Sequence, residues 1–125
     1  MHIVDSSGWL EWFTDNRLAD QYKPYLAKTS ELLVPTICIF EVYKVLKREA
    51  GEEKALMAVG YMKNSSVVSL DDNIALHAAD LSIRHKLAMA DSIIYATGSI
   101  NKCKIITSDA DFADLPSVKY FPKNE

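Results

Sequence analysis

The sequence contains little glycine, proline or cysteine, and each shortage argues against a class of protein. Its four glycines, at positions 8, 51, 60 and 98, form no loop of the kind that cradles a phosphate or a dinucleotide. No stretch rich in proline, glycine or serine suggests a linker, and 49% of the residues are hydrophobic, so we expect one domain over residues 1–125. The sequence lacks a signal peptide and any apolar run long enough to cross a bilayer, which predicts a cytoplasmic protein.

Cysteine, charge and histidine narrow the chemistry further. Cys38 and Cys103 lie within apolar runs, which is typical of reduced core residues rather than of a zinc site or a disulfide. A formal net charge of -3 argues against indiscriminate binding of nucleic acid, although it allows a local basic strip. His77 and His85 follow the apolar stripe of one predicted helix, which favours packed or half-exposed histidines over a general base.

Apolar runs and helix-capping residues alternate along the chain and predict alternating strands and helices. We expect strands at residues 3–4, 32–34, 67–70, 103–107 and 118–121. We expect helices at residues 8–13, 18–26, 36–50 and 52–63, from about 72 and from about 90. Pro24 is expected to break the second helix, Gly51 to end the third, and Asp71 or Asp72 to cap the fifth. The alternation implies a small parallel sheet covered on both faces, a three-layer α/β/α fold.

Four acidic residues are notable for their positions relative to these elements. Asp5 and Asp109 directly follow apolar strands, where open parallel sheets bind their ligands. Glu41 lies at the border of an apolar helix face, and Asp91 lies in the first turn of an alanine-rich helix. If the fold gathers them, the carboxylates repel one another, and Mg²⁺ or Mn²⁺ relieves that repulsion. The pattern therefore predicts a carboxylate cage for a divalent cation.

Taken singly, three of the four acids also suit ordinary roles as helix caps, first-turn residues or turn residues. Asp111 suits the same loop-closing turn as Asp109, and its role stays open. Glu41 lies well past any cap, so its ordinary role is a weak surface ion pair with Lys44. The conjunction of four acids in comparable contexts, rather than any one of them, favours the metal site.

Four segments, in their order and separations, carry a resemblance to a known family. They are Ile3-Val4-Asp5-Ser6-Ser7, Phe40-Glu41-Val42, residues 87–96 and residues 105–112. With them the chain resembles the PIN-domain ribonucleases, and in size it looks like the VapC-type toxins of toxin–antitoxin pairs. The resemblance implies a PIN-domain fold and places the metal-binding, catalytic acids at Asp5, Glu41, Asp91 and Asp109, with Asp111 as an outer member.

The same resemblance implies endonucleolytic cleavage of RNA that depends on Mg²⁺ or Mn²⁺. It implies an antitoxin partner that blocks the site, and it implies that this chain usually forms a homodimer. It also implies that DNA is bound only through the antitoxin. Thr107 and Ser108 are candidates to position a water or a phosphate oxygen, and Ser6 is a further candidate substrate contact. Lys44 and Arg48 are candidates to hold backbone phosphates, although a solvated helix face explains this pair equally well.

Two other functions are compatible with the pattern. A phosphoacceptor signalling domain also arranges aspartates around Mg²⁺, but it needs an adjacent acidic pair where this chain has Ser6-Ser7. A catalytically silent PIN-like scaffold would bind RNA or protein without cutting, and the intact acids argue against it. The aromatic cluster Trp9, Trp12 and Phe13 is typical of a core, and an exposed part of it would offer a groove for a partner.

Overall fold

In the computed structural model, which describes residues 1–123, strands and helices alternate as the sequence predicts. The strands are β1 (His2–Val4), β2 (Leu33–Pro35), β3 (Ser66–Val68), β4 (Lys104–Thr107) and β5 (Val118–Tyr120). The helices are α1 (Ser6–Phe13), α2 (Ala19–Leu26), α3 (Thr36–Ala50), α4 (Glu52–Met62), α5 (Asp72–His85) and α6 (Met89–Asn101). Short 3-10 turns occupy Thr29–Glu31 and Ala110–Phe112.

The strands pair in parallel, as an alternation of strands and helices requires. β4 lies between β1 and β5, with Thr107 opposite Tyr120. β2 and β3 form a second parallel pair, which a bridge between His2 and Leu32 joins to β1. The carboxyl ends of β1 and β4 therefore lie side by side, and Asp5 follows the first of them.

Helices cover the sheet in the expected three-layer α/β/α arrangement. α2 packs against β1, α1 packs against β4, and α6 packs against both strands. Outside these contacts, α3 pairs with α4 and α5 pairs with α6. The largest side chains removed from water are Trp9, Tyr22 and Phe112, and burial of such apolar surface is the main stabilising term.

Gly8 marks the closest approach of α1 to its neighbours. A Cβ atom at this position would lie 2.5 Å from Val4 Cγ1 and 2.6 Å from Tyr22 Cε1. Both neighbours are buried, so a side chain here would force them or the start of α1 to shift. That start carries Asp5, so the glycine helps to place an acid.

The helix ends show which local signals are reliable. The side chain of Asp71 accepts a hydrogen bond from the Ile74 amide at 2.9 Å, and Gly51 ends α3 with a φ of 98°, which favours glycine. The prediction for Pro24 was wrong, because this residue lies inside α2. Pro24 cannot donate to the carbonyl of Asp20, but both residues are exposed, so water can satisfy that carbonyl.

Other expectations from composition are confirmed. Cys38 and Cys103 are free and buried. His77 and His85 are half-buried on α5, where His77 contacts the Ser99 hydroxyl at 3.2 Å. Within residues 1–123, none of the helices combines the length and the apolar character needed to cross a membrane.

Candidate metal centre

Five acids lie near one another at the carboxyl edge of the sheet, and we call them the acid cluster. They come from the turn after β1, from α3, from the first turn of α6 and from the turn after β4, and they are Asp5, Glu41, Asp91, Asp109 and Asp111. Adjacent parallel strands end at the same edge, which explains why acids so distant in sequence meet.

Three members of the acid cluster form a tighter group. Asp91, Asp109 and Asp111 each offer a carboxylate oxygen, and these oxygens lie within 4.8 Å of one another. The side chain of Asp109 fixes the turn after β4, because its Oδ1 accepts a hydrogen bond from the Asp111 amide at 2.9 Å. Asp111, whose role the sequence left open, therefore belongs to this group, and Asp5 and Glu41 lie outside it.

Asp5 is the most buried member of the acid cluster, with 3% of its surface exposed. It caps α1 by accepting from the Gly8 amide at 3.1 Å, and it also accepts from the hydroxyls of Ser7 and Thr107, both at 2.8 Å. The Thr107 hydroxyl in turn accepts from the Asp109 amide at 2.9 Å. A continuous chain of hydrogen bonds thus ties Asp5 to the turn that carries Asp109.

Glu41 is held by α1 rather than by a cation. It accepts a hydrogen bond from the Ser6 hydroxyl at 2.5 Å. Lys44 instead places its ammonium group 5.7 Å from the centre of the Phe40 ring. In residues 1–123 the salt bridges join Lys47 to Glu52 and Arg48 to Glu49, so the ordinary ion pair expected for Glu41 does not form there.

The pKa values in the acid cluster show that its charge is not neutralised by the chain. Burial raises the pKa of Asp91 to about 7, and the charges of Asp109, Asp111, Asp5 and Glu41 act in the same direction. Burial also raises the pKa of Asp5 to about 6, against the lowering effect of its hydrogen bonds. The fold therefore buries carboxylates close to one another, and both burial and proximity disfavour their charged forms.

This donor set fits a hard divalent cation. Every candidate ligand is a carboxylate oxygen, the type that Mg²⁺ and Mn²⁺ prefer. The tight spacing of Asp91, Asp109 and Asp111 would let them bind one ion together, and Asp5 and Glu41 would add negative charge around it. Binding would replace the repulsion among the carboxylates by attraction.

The candidate substrate contacts have different surroundings. Ser6 and Thr107 are buried, and their hydroxyls hold Glu41 and Asp5, as described above. Ser108 is buried too, but it borders a cavity next to Asp109. Arg48 pairs with Glu49 at 3.0 Å and lies seven residues after Glu41, about 10 Å along the helix axis. Their roles toward a substrate stay predictions.

Two residues that support the acids escaped the sequence analysis. Ser7 bonds to Asp5, and its place in the Asp-Ser-Ser segment is a signal that could have revealed it. The Tyr22 hydroxyl donates to Ser108 Oγ at 2.9 Å across 86 positions of sequence, and no local pattern announces such a pair. Both fix the loops that present the acids.

The topology argues against a phosphoacceptor signalling domain. In the flavodoxin-like fold of such domains the third strand lies beside the first. Here β3 lies beside β2, and β1 lies beside β4. Such a domain also needs a mid-chain aspartate after a strand as its phosphorylated group, and Asp71, the residue in that position, instead caps α5.

Comparisons with known proteins agree with this geometry. The sequence model of the PIN domain matches residues 2–118. No curated protein sequence matches the chain significantly. The structure is similar to a chain of a toxin–antitoxin complex from Klebsiella pneumoniae, with 25% identity, a TM-score of 0.80, and coverage of 95% of this chain and 96% of that one.

Two further solved structures share the fold. VapC20 of Mycobacterium tuberculosis, described as a toxin that cleaves the sarcin-ricin loop, has 16% identity and a TM-score of 0.78 over 98% of this chain and 100% of its own. DNA-bound VapBC from Salmonella typhimurium has 16% identity and a TM-score of 0.73 over 96% of both chains. The resemblance drawn from the four segments is confirmed, since the chain belongs to the PIN domain family.

Proposed function

We propose that the chain is a VapC-type toxin, a single nuclease domain over residues 1–125 that hydrolyses RNA phosphodiester bonds with the help of Mg²⁺ or Mn²⁺. The observation that carries the proposal is the group of Asp91, Asp109 and Asp111, whose carboxylate oxygens lie within 4.8 Å of one another. A structural role does not explain such a group, because it destabilises the fold unless protons or a cation bind. The description of VapC20 as an RNA-loop-cleaving toxin supports the choice of substrate.

Asp91, Asp109 and Asp111 would hold the ion, and Asp5 and Glu41 would surround it with further charge. When bound, the ion supplies Lewis acidity and positive charge beside the scissile phosphate. The chain supplies position: Thr107 links Asp5 to the Asp109 turn, as described above. Preorganised groups of this kind need no rearrangement as charge develops during the reaction.

Metal-dependent cleavage is the direct test of this proposal. We expect the purified protein to cut stem–loop RNAs, including one with the sarcin-ricin loop sequence, in Mg²⁺ or Mn²⁺. We expect no cutting in EDTA and recovery when excess metal is added back. The Asp5→Asn variant, purified in the same way, controls for contaminating nucleases. Equal cleavage in EDTA, or cleavage that survives in Asp5→Asn, would contradict the proposal, and binding without cutting would support the silent scaffold.

A protein partner completes the proposed function. Solved structures similar to this chain include toxin–antitoxin assemblies, which supports an antitoxin as the partner. A groove of about 690 Å³ between α1, α3 and α4, which we call the aromatic groove, is suited to an apolar antitoxin segment. Its lining includes Trp12, Phe13, Leu46, Met57 and Tyr61.

The position of the aromatic groove suits inhibition. Trp12 and Phe13 lie at the end of α1, and Ser6 and the acid cluster lie at its start, about 12 Å away for a helix of this length. A segment docked in the groove can therefore continue toward the acid cluster, where a cationic side chain would be attracted. A homodimer, and DNA binding only through the antitoxin, stay predictions of the family resemblance.

The aromatic groove predicts the effect of a charge placed on α4. Met57 lines the groove and is 69% exposed, so Met57→Glu should weaken antitoxin binding at least tenfold, because a carboxylate would lose water on docking. Leu56 is the matched control, since it is 54% exposed on the same helix but does not line the groove. The affinity of both variants for the antitoxin, which we expect a neighbouring reading frame to encode, is measured by titration. If both variants weaken antitoxin binding equally, or if neither weakens it, the aromatic groove is not the antitoxin site.

A further inference from the structure

A second cavity, of about 360 Å³, opens directly beside the acid cluster. Its walls combine a tyrosine, a lysine and three residues of the turn after β4, and they are formed by Ser108, Asp109, Ala110, Tyr120, Pro122 and Lys123. None of the roles assigned above uses Tyr120, Pro122 or Lys123. The cavity shares Asp109 with the group of three aspartates, so a molecule inside it would lie next to the reacting phosphate.

The wall that carries Tyr120 is fixed by the sheet. Tyr120 is the register partner of Thr107, and the Phe121 amide donates to the Thr107 carbonyl at 2.8 Å. The Phe121 ring packs edge-on against Tyr22 with centroids 5.4 Å apart, which anchors the end of β5. Tyr120 itself is half-buried and lines the cavity, so this residue is open to a molecule there while its backbone is fixed by the sheet.

The chemistry of the walls matches one nucleotide. An aromatic ring offers a stacking surface for any base, and a lysine ammonium attracts a backbone phosphate. A volume of about 360 Å³ lies at the small end of ligand pockets, which suits a single nucleotide rather than a stretch of chain. Lys119 is turned away from this task, since its ammonium group lies 5.8 Å from the centre of the Phe121 ring.

We propose that this cavity, which we call the Tyr120 subsite, binds one unpaired nucleotide next to the scissile phosphate. The base stacks on Tyr120, and the adjoining phosphate contacts Lys123. A base inside a duplex is already stacked and paired, so it cannot reach the ring without being extruded. The subsite therefore selects single strands and loops over duplexes. This inference rests on the proposed function, because it assumes that RNA is the substrate.

Binding measurements test the Tyr120 subsite independently of cleavage. In an Asp91→Asn background in Mg²⁺, we expect Tyr120→Leu to weaken binding of a short labelled single-stranded RNA about 10- to 100-fold. We expect Tyr120→Phe, which keeps the ring, to bind this RNA as tightly as the parent protein does. Neither change should alter binding of the same sequence as a duplex. Thermal melting of each variant distinguishes a lost contact from a damaged fold, since β5 also supports the sheet.

The contribution of Lys123 is tested by the dependence of affinity on salt. Lys123→Ala should lower the slope of log affinity against log salt by about one, the value for one lost phosphate contact. Lys63→Ala is the matched control, because Lys63 is exposed beyond the end of α4 and does not line the cavity. An equal change of slope in both variants would overturn the role of Lys123.

The possible failures can be told apart. If Tyr120→Leu binds single-stranded RNA as tightly as the parent, or if Tyr120→Phe loses as much affinity, the Tyr120 subsite is wrong even though the protein cleaves RNA. If the wild-type chain cleaves no RNA but its binding of single strands depends on the ring at position 120, the proposed nuclease activity is wrong and the subsite stands. In a cleaving protein, Tyr120→Leu should raise KM for single-stranded RNA more than it lowers kcat.

Discussion

Replacement of Asp91 by asparagine is expected to abolish RNA cleavage and also to raise the melting temperature of the metal-free protein at about pH 8. The two effects have one cause. Asp91 lies with Asp109 and Asp111 in a group of carboxylates that no salt bridge of residues 1–123 reaches, and its pKa is raised to about 7 by burial and by its neighbours. The Asp91→Asn change would keep the shape of the side chain but remove both the repulsion and a metal ligand.

The expected sizes are large enough to measure. Loss of one ligand from a site that stabilises charge by several kcal/mol should slow cleavage about 1,000-fold. Relief of about 1 kcal/mol of repulsion should raise the melting temperature in EDTA by about 3–5 °C for a domain of this size. In excess Mg²⁺ the wild-type protein should melt at the higher temperature of the two, because only its site gains full stabilisation from the ion.

Asp80→Asn is the matched control for this experiment. Asp80 is an exposed aspartate on α5, so its replacement should change neither cleavage nor the melting temperature. An Asp91→Asn variant that cuts RNA at the wild-type rate would remove Asp91 from the site. A variant that melts lower in EDTA would show that Asp91 is structural. If the wild-type protein cuts no RNA, and Asp91→Asn still abolishes its stabilisation by Mg²⁺, the results would favour a metal-binding scaffold.

Much of the fold follows from signals within a few residues of each element. The apolar face of α3 and its terminal Gly51, or the Asp71 cap of α5, are read directly from spacing and residue type, because caps satisfy backbone groups locally. Pro24 shows where local rules stop. Its cost depends on whether the carbonyl of Asp20 faces water, and that exposure is set by tertiary packing.

The candidate site is predictable only in outline. The order of motifs indicated which acids to consider, and parallel strands explain why they meet. Which oxygens come within reach of one ion depends on contacts between distant segments, such as the Thr107 hydroxyl that bonds to Asp5 across 102 positions. Asp111 joins the group of three aspartates because the Asp109 side chain closes the turn that carries both residues. Neither contact leaves a pattern in the sequence.

The stability of the metal-free protein is expected to fall as the pH rises from about 4 to about 7, the reverse of the usual acid denaturation. Asp5 and Asp91 have pKa values of about 6 and about 7 in the folded chain, against 3.8 for an unperturbed aspartate. Between these values the folded state binds more protons than the unfolded state. The free energy of unfolding therefore decreases with pH, and the stabilisation is complete only below about pH 4.

Asp5 should dominate this effect because it is the more buried of the two. A pKa that moves from 3.8 to about 6 corresponds to about 3 kcal/mol of stability lost on ionisation. That loss lowers the melting temperature by about 10 °C in a domain of this size. His2 acts in the opposite sense, since burial lowers its pKa and the unfolded state then binds the extra proton, but His2 lies outside the acid cluster.

Mg²⁺ should remove most of this dependence, because it binds ionised carboxylates and competes with protons. Thermal melts in EDTA and in excess Mg²⁺ should therefore nearly coincide at about pH 5 and differ most at about pH 8. The Asp5→Asn/Asp91→Asn double variant should flatten the EDTA curve and abolish the response to Mg²⁺. If the wild-type melting temperature in EDTA rises between about pH 5 and about pH 8, or if Mg²⁺ raises it equally at both pH values, the acids ionise freely. The acid cluster would then carry no electrostatic cost for a cation to relieve.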